Sequence, residues 1–179
     1  MAMLKVQVTS TDHIQGDEQA PFTLVEYGDY ECPHCGFAYP IVKKVQQHFG
    51  KQLRFVFRNF PLNEIHPHAQ AAAETAEFAA TKGRFWEMHD AILENQQNIG
   101  LPIFLELAKE MGLSAADLRS ALSAQIFSSR VREDVVGGVS SGVKGTPTFF
   151  INRCRHEGPY EFEDLVQAIE VQPAQKIRQ

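Results

Sequence analysis

Cys32-Pro33-His34-Cys35 is the group of residues in this chain best equipped for chemistry. Two cysteines with two residues between them lie one turn apart on one face of a helix. They can pair with each other and exchange that disulfide with a second thiol pair. The motif follows the apolar run Phe22 to Tyr27 and opens an amphipathic stretch, so it falls where a strand gives way to a helix. The start of a helix carries unpaired N–H groups and a partial positive charge. Cys32 placed there is favoured as thiolate, the reactive form. Pro33 at the first helical position removes an N–H that has no partner anyway. His34 can add positive charge or a hydrogen bond. Cys35 can attack a mixed disulfide on Cys32 and release the partner.

Other residues could tune this pair. Glu26 is the one charged member of the apolar strand before the motif. A buried carboxylate is costly unless it is paired or used. It reads as a proton acceptor or electrostatic tuner for the cysteines, or else as an edge residue or a partner of Arg58. Gly145-Thr146-Pro147-Thr148 precedes a short apolar strand, and an X-Pro bond there can be cis where a sharp approach is needed. His66, His68, His89 and His156 are scattered and suit caps, core or surface better than metal ligation. Cys-x-x-Cys is also half of a zinc site, but no second such pair follows. The third cysteine, Cys154, lies between Arg153 and Arg155. If the thiol is exposed, these cations would make it reactive; otherwise it is a free cysteine near a turn.

The elements that must position these residues follow from periodicity. Val6 and Val8 alternate with polar neighbours and predict a short strand. Thr11 to Pro21 is polar and reads as a loop. Phe22 to Tyr27 predicts a buried strand, and Leu53 to Phe57 a second. From Pro33 the period becomes helical: Phe37, Ile41 and Val45 share a face, with Ala38, Val42 and Phe49 beside it, and Gly50 ends the helix. Residues 66–143 carry only helical signals. They include a Ser114-to-Asp117 cap and a last helix from about Ala124, with Gly137-Gly138 as a weak spot within it. Thr148 to Ile151 predicts a strand, Arg155 to Glu157 a partner, and Phe162 to Ile169 a closing helix. The order strand, helix, strand, helical block, strand, strand, helix is that of an α/β fold with an all-helical insertion. The flanks are residues 1–60 and 144–179 and the insertion is 61–143; neither flank alone is large enough to hold a core.

Composition narrows the function. The chain has 179 residues, 44% of them hydrophobic, enough for a core without disulfide staples. Three cysteines, an odd number, exclude a structural disulfide framework. The net charge of −5 and the lack of any Lys/Arg block argue against nucleic acid or an anionic membrane as partner. No apolar run is long enough to span a membrane. The first ten residues contain no apolar core of a secretory signal. A cytoplasmic location is therefore expected, or a periplasmic or other extracytoplasmic one if a signal peptide has been removed.

Three separate stretches carry a family resemblance. Leu24-Val-Glu-Tyr-Gly-Asp-Tyr-Glu-Cys-Pro-His-Cys35 resembles the active-site strand and helix start of the DsbA-like thiol-disulfide oxidoreductases of the thioredoxin superfamily. Arg58-Asn-Phe-Pro-Leu62, His68, the Ala-rich helix and Gly83-Arg-Phe-Trp-Glu-Met-His-Asp90 resemble that family's inserted helices. Gly145-Thr-Pro-Thr-Phe-Phe-Ile-Asn152 resembles its cis-proline loop and following strand. The resemblance implies a thioredoxin fold with a helical insertion between the second strand and the cis-proline strand. It implies Cys32 as exposed nucleophile, Cys35 as buried resolving cysteine and Glu26 as the buried acid. It places Thr146 and Pro147 opposite the pair, where an extended substrate backbone docks. The partners would be protein or peptide thiols and disulfides, with glutathione or a redox protein as electron partner and no bound cofactor. Two other readings stay open: a glutathione-linked transferase or isomerase of the same fold, and a peptide-binding, chaperone-like module.

Overall fold

The structure is a computed structural model and describes residues 2–174. Among these residues one sheet has five strands: β1 His13–Gly16, β2 Phe22–Gly28, β3 Leu53–Asn59, β4 Thr148–Ile151 and β5 Cys154–Arg155. Their order is β1-β3-β2-β4-β5. Strand β2 is central, parallel to β3 and antiparallel to β4. A parallel pair needs a crossover, and helix α1, Pro33–Phe49, supplies it. Gly50, at φ 51°, ends that helix in a conformation that a side chain would resist. Between β3 and β4 run α2 Ala69–Ala80, α3 Phe85–Glu94, α4 Leu101–Glu110, α5 Ala115–Ser123 and α6 Ser128–Ser140. Helix α7, Phe162–Glu170, closes the chain against α1.

Strand alternation sorts the core onto two faces. Leu24, Phe55, Phe57, Phe149 and Ile151 point toward α1 and the helical segment. Val25, Tyr27, Val56 and Phe150 point the other way, with Leu4, Phe60 and Val143. The first cluster is continuous from the sheet through Val45 of α1 to Met88 of α3, Phe104 of α4 and Leu118 of α5. At about 25 cal/mol per Å² of apolar surface, this face provides most of the burial that holds the helices on the sheet.

Several expectations need correction. Val6 and Val8 form no strand; Val6 is 46% exposed. The edge strand is His13–Gly16, inside the segment read as a loop. It has few strand-forming residues, but it pairs antiparallel with Arg54–Phe57. His13 also stacks on Phe85, with ring centroids 3.4 Å apart. Phe37 does not face the core: it is 55% exposed, while Ala38, Ile41, Val42 and Val45 are buried. Helix α6 starts at Ser128, because Gln125 adopts φ 51° and breaks the chain before it. Gly137-Gly138 lies within α6 and is a contact point of that helix. A Cβ on Gly138 would lie 2.7 Å from Phe60 and 3.0 Å from Tyr27. The Ser114 cap forms, its hydroxyl accepting from Asp117 N–H at 3.1 Å.

Candidate active site

Strand β2 delivers the chain to a turn, residues 29–32, and the turn delivers it to α1. Cys32 is the N-cap residue, at φ −71° and ψ 121°, and Pro33 opens the helix. Its carbonyl accepts Cys35 N–H at 3.0 Å and Gly36 N–H at 3.1 Å. The Cys32 side chain folds back over the helix start. Both cysteines are thiols here. Cys32 was expected to be exposed, yet only 4% of it is, against 2% of Cys35. The Thr146-Pro147 loop covers it: Cys32 Sγ donates to Thr146 O at 3.4 Å. The Thr146-Pro147 peptide bond is cis. Thr146 Oγ1 is buried and has no hydrogen-bond partner.

The two thiols differ sharply in acidity. The Cys35 S–H bonds to Cys32, and this contact does most to lower the Cys32 thiol to about 5. Burial opposes it; the otherwise unpartnered Thr146 hydroxyl and the backbone N–H groups of Cys35 and His34 add to it. His34 thus acts through its amide, since its imidazole is exposed at the helix start. Cys35 is pushed well above an ordinary thiol, first by burial, then by the bond it gives to Cys32 and by the charges of Glu26 and Cys32. Its sulfur also accepts Asp29 N–H at 3.4 Å.

Glu26 lies on the α1 side of β2, between Phe57 of β3 and Phe149 of β4 in register. It is 4% exposed. Burial first, and the Cys32 thiolate second, push its carboxyl up to about 8. A carboxyl raised to about 8 and coupled to both cysteines can give up a proton in its neutral form and take one up in its ionised form. Arg58 is not its partner. The guanidinium donates to both Asp12 oxygens, to Val6 O and Gln7 O, and to Tyr27 Oη, all within 3.1 Å.

Three further side chains hold the turn, and none was singled out from the sequence. Asp29 Oδ1 accepts Glu31 N–H, and Asp29 Oδ2 accepts Leu62 N–H, each at 2.8 Å. Glu31 accepts His68 N–H at 2.6 Å. Gln96 reaches in from beyond α3. The only available signal was Asp29 itself, an acid placed three residues before Cys32 at the end of a buried strand.

The thioredoxin family model matches residues 8–171. The chain belongs to the thioredoxin family. Its fold is that of DsbA-like thiol-disulfide oxidoreductases. Oxidised BdbD from Bacillus subtilis superposes with a TM-score of 0.81 at 25% identity, over 89% of this chain and 91% of that one. DsbA2 from Pseudomonas aeruginosa gives 0.73 at 26% identity, over 92% and 96%. A curated relative from Salinispora arenicola, named Na(+)/H(+) antiporter NhaA 1, is 44% identical over 158 residues. That match takes in 88% of this chain and 24% of the relative, so the chain spans about a quarter of the length of the curated relatives it matches.

Within this thioredoxin-family chain the scattered histidines have structural partners. His66 pairs with Asp29 at 2.7 Å and His68 with Glu31 at 3.0 Å. His89 is buried, bonds Tyr30 Oη at 3.0 Å, and is held neutral, lowered to about 3 by burial. His156 Nε2 meets Pro159 O at 2.6 Å. Cys154, on β5, places its sulfur 3.7 Å from Met3 Sδ. No helix among the described residues is long and apolar enough to cross a membrane.

Proposed function

We propose that this chain exchanges disulfides with protein or peptide substrates through Cys32 and Cys35. The observation that carries this reading is the unequal pair: a Cys32 thiol lowered to about 5, hydrogen-bonded by a buried Cys35 raised well above the ordinary range. One thiol is ready to attack, while the other holds its proton until needed.

As reductant, the Cys32 thiolate attacks one sulfur of a substrate disulfide. The substrate S–S bond breaks, one substrate thiolate leaves, and a mixed disulfide joins Cys32 to the other sulfur. Glu26, in its ionised form, takes the Cys35 proton, and the Cys35 thiolate attacks Cys32 Sγ. The mixed disulfide breaks, the second substrate thiolate leaves, and Cys32–Cys35 becomes a disulfide. Two electrons have passed to the substrate, and no bound cofactor takes part. As oxidant the same steps run in reverse, with Glu26 returning the proton to Cys35. Thr146 and Pro147 form the wall against which the substrate backbone lies. A stabilised thiolate favours the dithiol form, which makes the disulfide form the better oxidant. That supports oxidation of substrate thiols as the working direction.

The test is insulin reduction by the wild type and by Cys32→Ser. The wild type turns over and the variant does not. Cys35→Ser accumulates mixed disulfide with a thiol-containing peptide. Absence of turnover in the wild type, with a normal fold, sinks the reading. Equilibration with glutathione then fixes direction: a strongly oxidising couple supports the oxidase, and a thioredoxin-like one overturns it.

A further inference from the structure

Gln96 opens a short 3-10 turn, Gln96–Asn98, between α3 and α4. Its Nε2 donates to Tyr30 O and to Cys32 O, each at 2.8 Å. Both partners are carbonyl oxygens, which only accept, so the amide can point only one way. Its Oε1 side rests against the backbone of Gly36, and a Cβ on Gly36 would collide with it. A side chain 64 residues from Cys32 in sequence thus grips two carbonyls of the active-site turn. The glycine after Cys35 leaves room for it.

The bond to Cys32 O bears directly on the sulfur of the same residue. That carbonyl is the first acceptor of α1. A donor on its far side draws the negative end of the dipole away from Sγ. It also holds Cys32 in extended backbone geometry, where the side chain turns back over the N–H groups of His34 and Cys35. An N-cap residue left without this hold can slip toward helical geometry, which swings its side chain off the helix start.

We infer that Gln96 is a positioning residue for disulfide exchange: by gripping Tyr30 O and Cys32 O it holds the Cys32 sulfur over the helix amides, and Gly36 admits it. The inference rests on the exchange function proposed above. Gln96 touches neither substrate nor the reacting sulfurs; it acts through the Cys32 peptide.

Gln96→Met keeps the length and removes both donors. Thiolate absorbance against pH should show the Cys32 midpoint rising by about half to one pH unit, the worth of one hydrogen bond near the charge. The equilibrium with glutathione should shift severalfold, toward easier disulfide formation in the variant. Gln97→Met, on the exposed neighbour, should move neither reading. Gly36→Ala displaces Gln96 by collision and should reproduce the rise; it serves equally where Gln96→Met fails to fold. An unmoved midpoint and unmoved equilibrium in a folded variant, with stability alone lowered, would overturn the inference and leave Gln96 a structural tie. Loss of insulin turnover in the wild type sinks the exchange function separately, because the thiolate titration is read without substrate.

Discussion

His66 Nδ1 donates to the carboxylate of Asp29 at 2.7 Å, and the Asp29 side chain is fully buried. The same carboxylate takes the Leu62 and Glu31 N–H groups. The turn before Cys32 and the segment after β3 therefore share one acceptor. Asp29→Ala leaves three donors without it and should cost about 3 kcal/mol in urea unfolding. His66→Ala removes one donor and should cost about 1 kcal/mol. Equal losses for the two variants would show that the carboxylate does not organise the turn.

Alkylation by iodoacetamide should rise as pH is raised through about 5 and level off above it, following the Cys32 thiolate. The folded value lies below the ordinary 9.0. The reduced protein binds fewer protons there than the unfolded chain, so this group adds stability as pH rises from about 5 to 9. That contribution is lost as pH falls back through about 5. Cys35→Ala should raise the alkylation midpoint more than Thr146→Val, because the Cys35 S–H is the larger cause. The reverse order would put the activation in the cis-proline loop.

Glu26 predicts the opposite slope. Between its ordinary 4.5 and about 8 the folded protein holds a proton that the unfolded chain releases. Its contribution to stability falls across that window as pH rises. Glu26→Gln should remove the slope and be more stable than wild type at pH 9, by about 1–3 kcal/mol. Resolution of the mixed disulfide should slow on the order of a hundredfold with the proton acceptor gone. A variant with the wild-type stability profile from acid to alkaline pH would mean that Glu26 is not held neutral.

Gly138→Ala should destabilise the fold by about 1–3 kcal/mol, because the added methyl meets the rings of Phe60 and Tyr27. The gain in helix propensity, about 1 kcal/mol, does not offset a clash with two packed rings. Gly137→Ala is the control. Its methyl approaches Val6 at 3.2 Å, and Val6 is half exposed and can give way. Calorimetry should separate the pair; equal melting temperatures would remove the close approach as a constraint.

The cysteine pair at a helix start, the central strand, the crossover helix and the cis-proline loop were legible because each has a local signature. Phe22 to Tyr27 is apolar at strand length, Pro33 to Phe49 repeats at helical spacing, and Thr146-Pro147 marks its own turn. What was not legible depends on partners distant in sequence. His13–Gly16 becomes a strand only because Arg54–Phe57 offers an edge. Phe37 fits the helical stripe as well as Ala38 does, and only the packed helices decide which turns inward. Asn95-Gln96-Gln97-Asn98 is four similar amides in a row. Nothing in that string distinguishes the one that reaches Cys32.

The five helices leave the sheet from β3 and rejoin it at β4, and both strands flank β2. The segment just after β3 is fastened to Asp29 and Glu31, and the segment just before β4 carries the carbonyl that meets Cys32. Gln96 adds a third fastening midway between. The helical segment is thus tied to the turn that carries Cys32 at three separate points, so a displacement of the helices cannot leave that turn where it was.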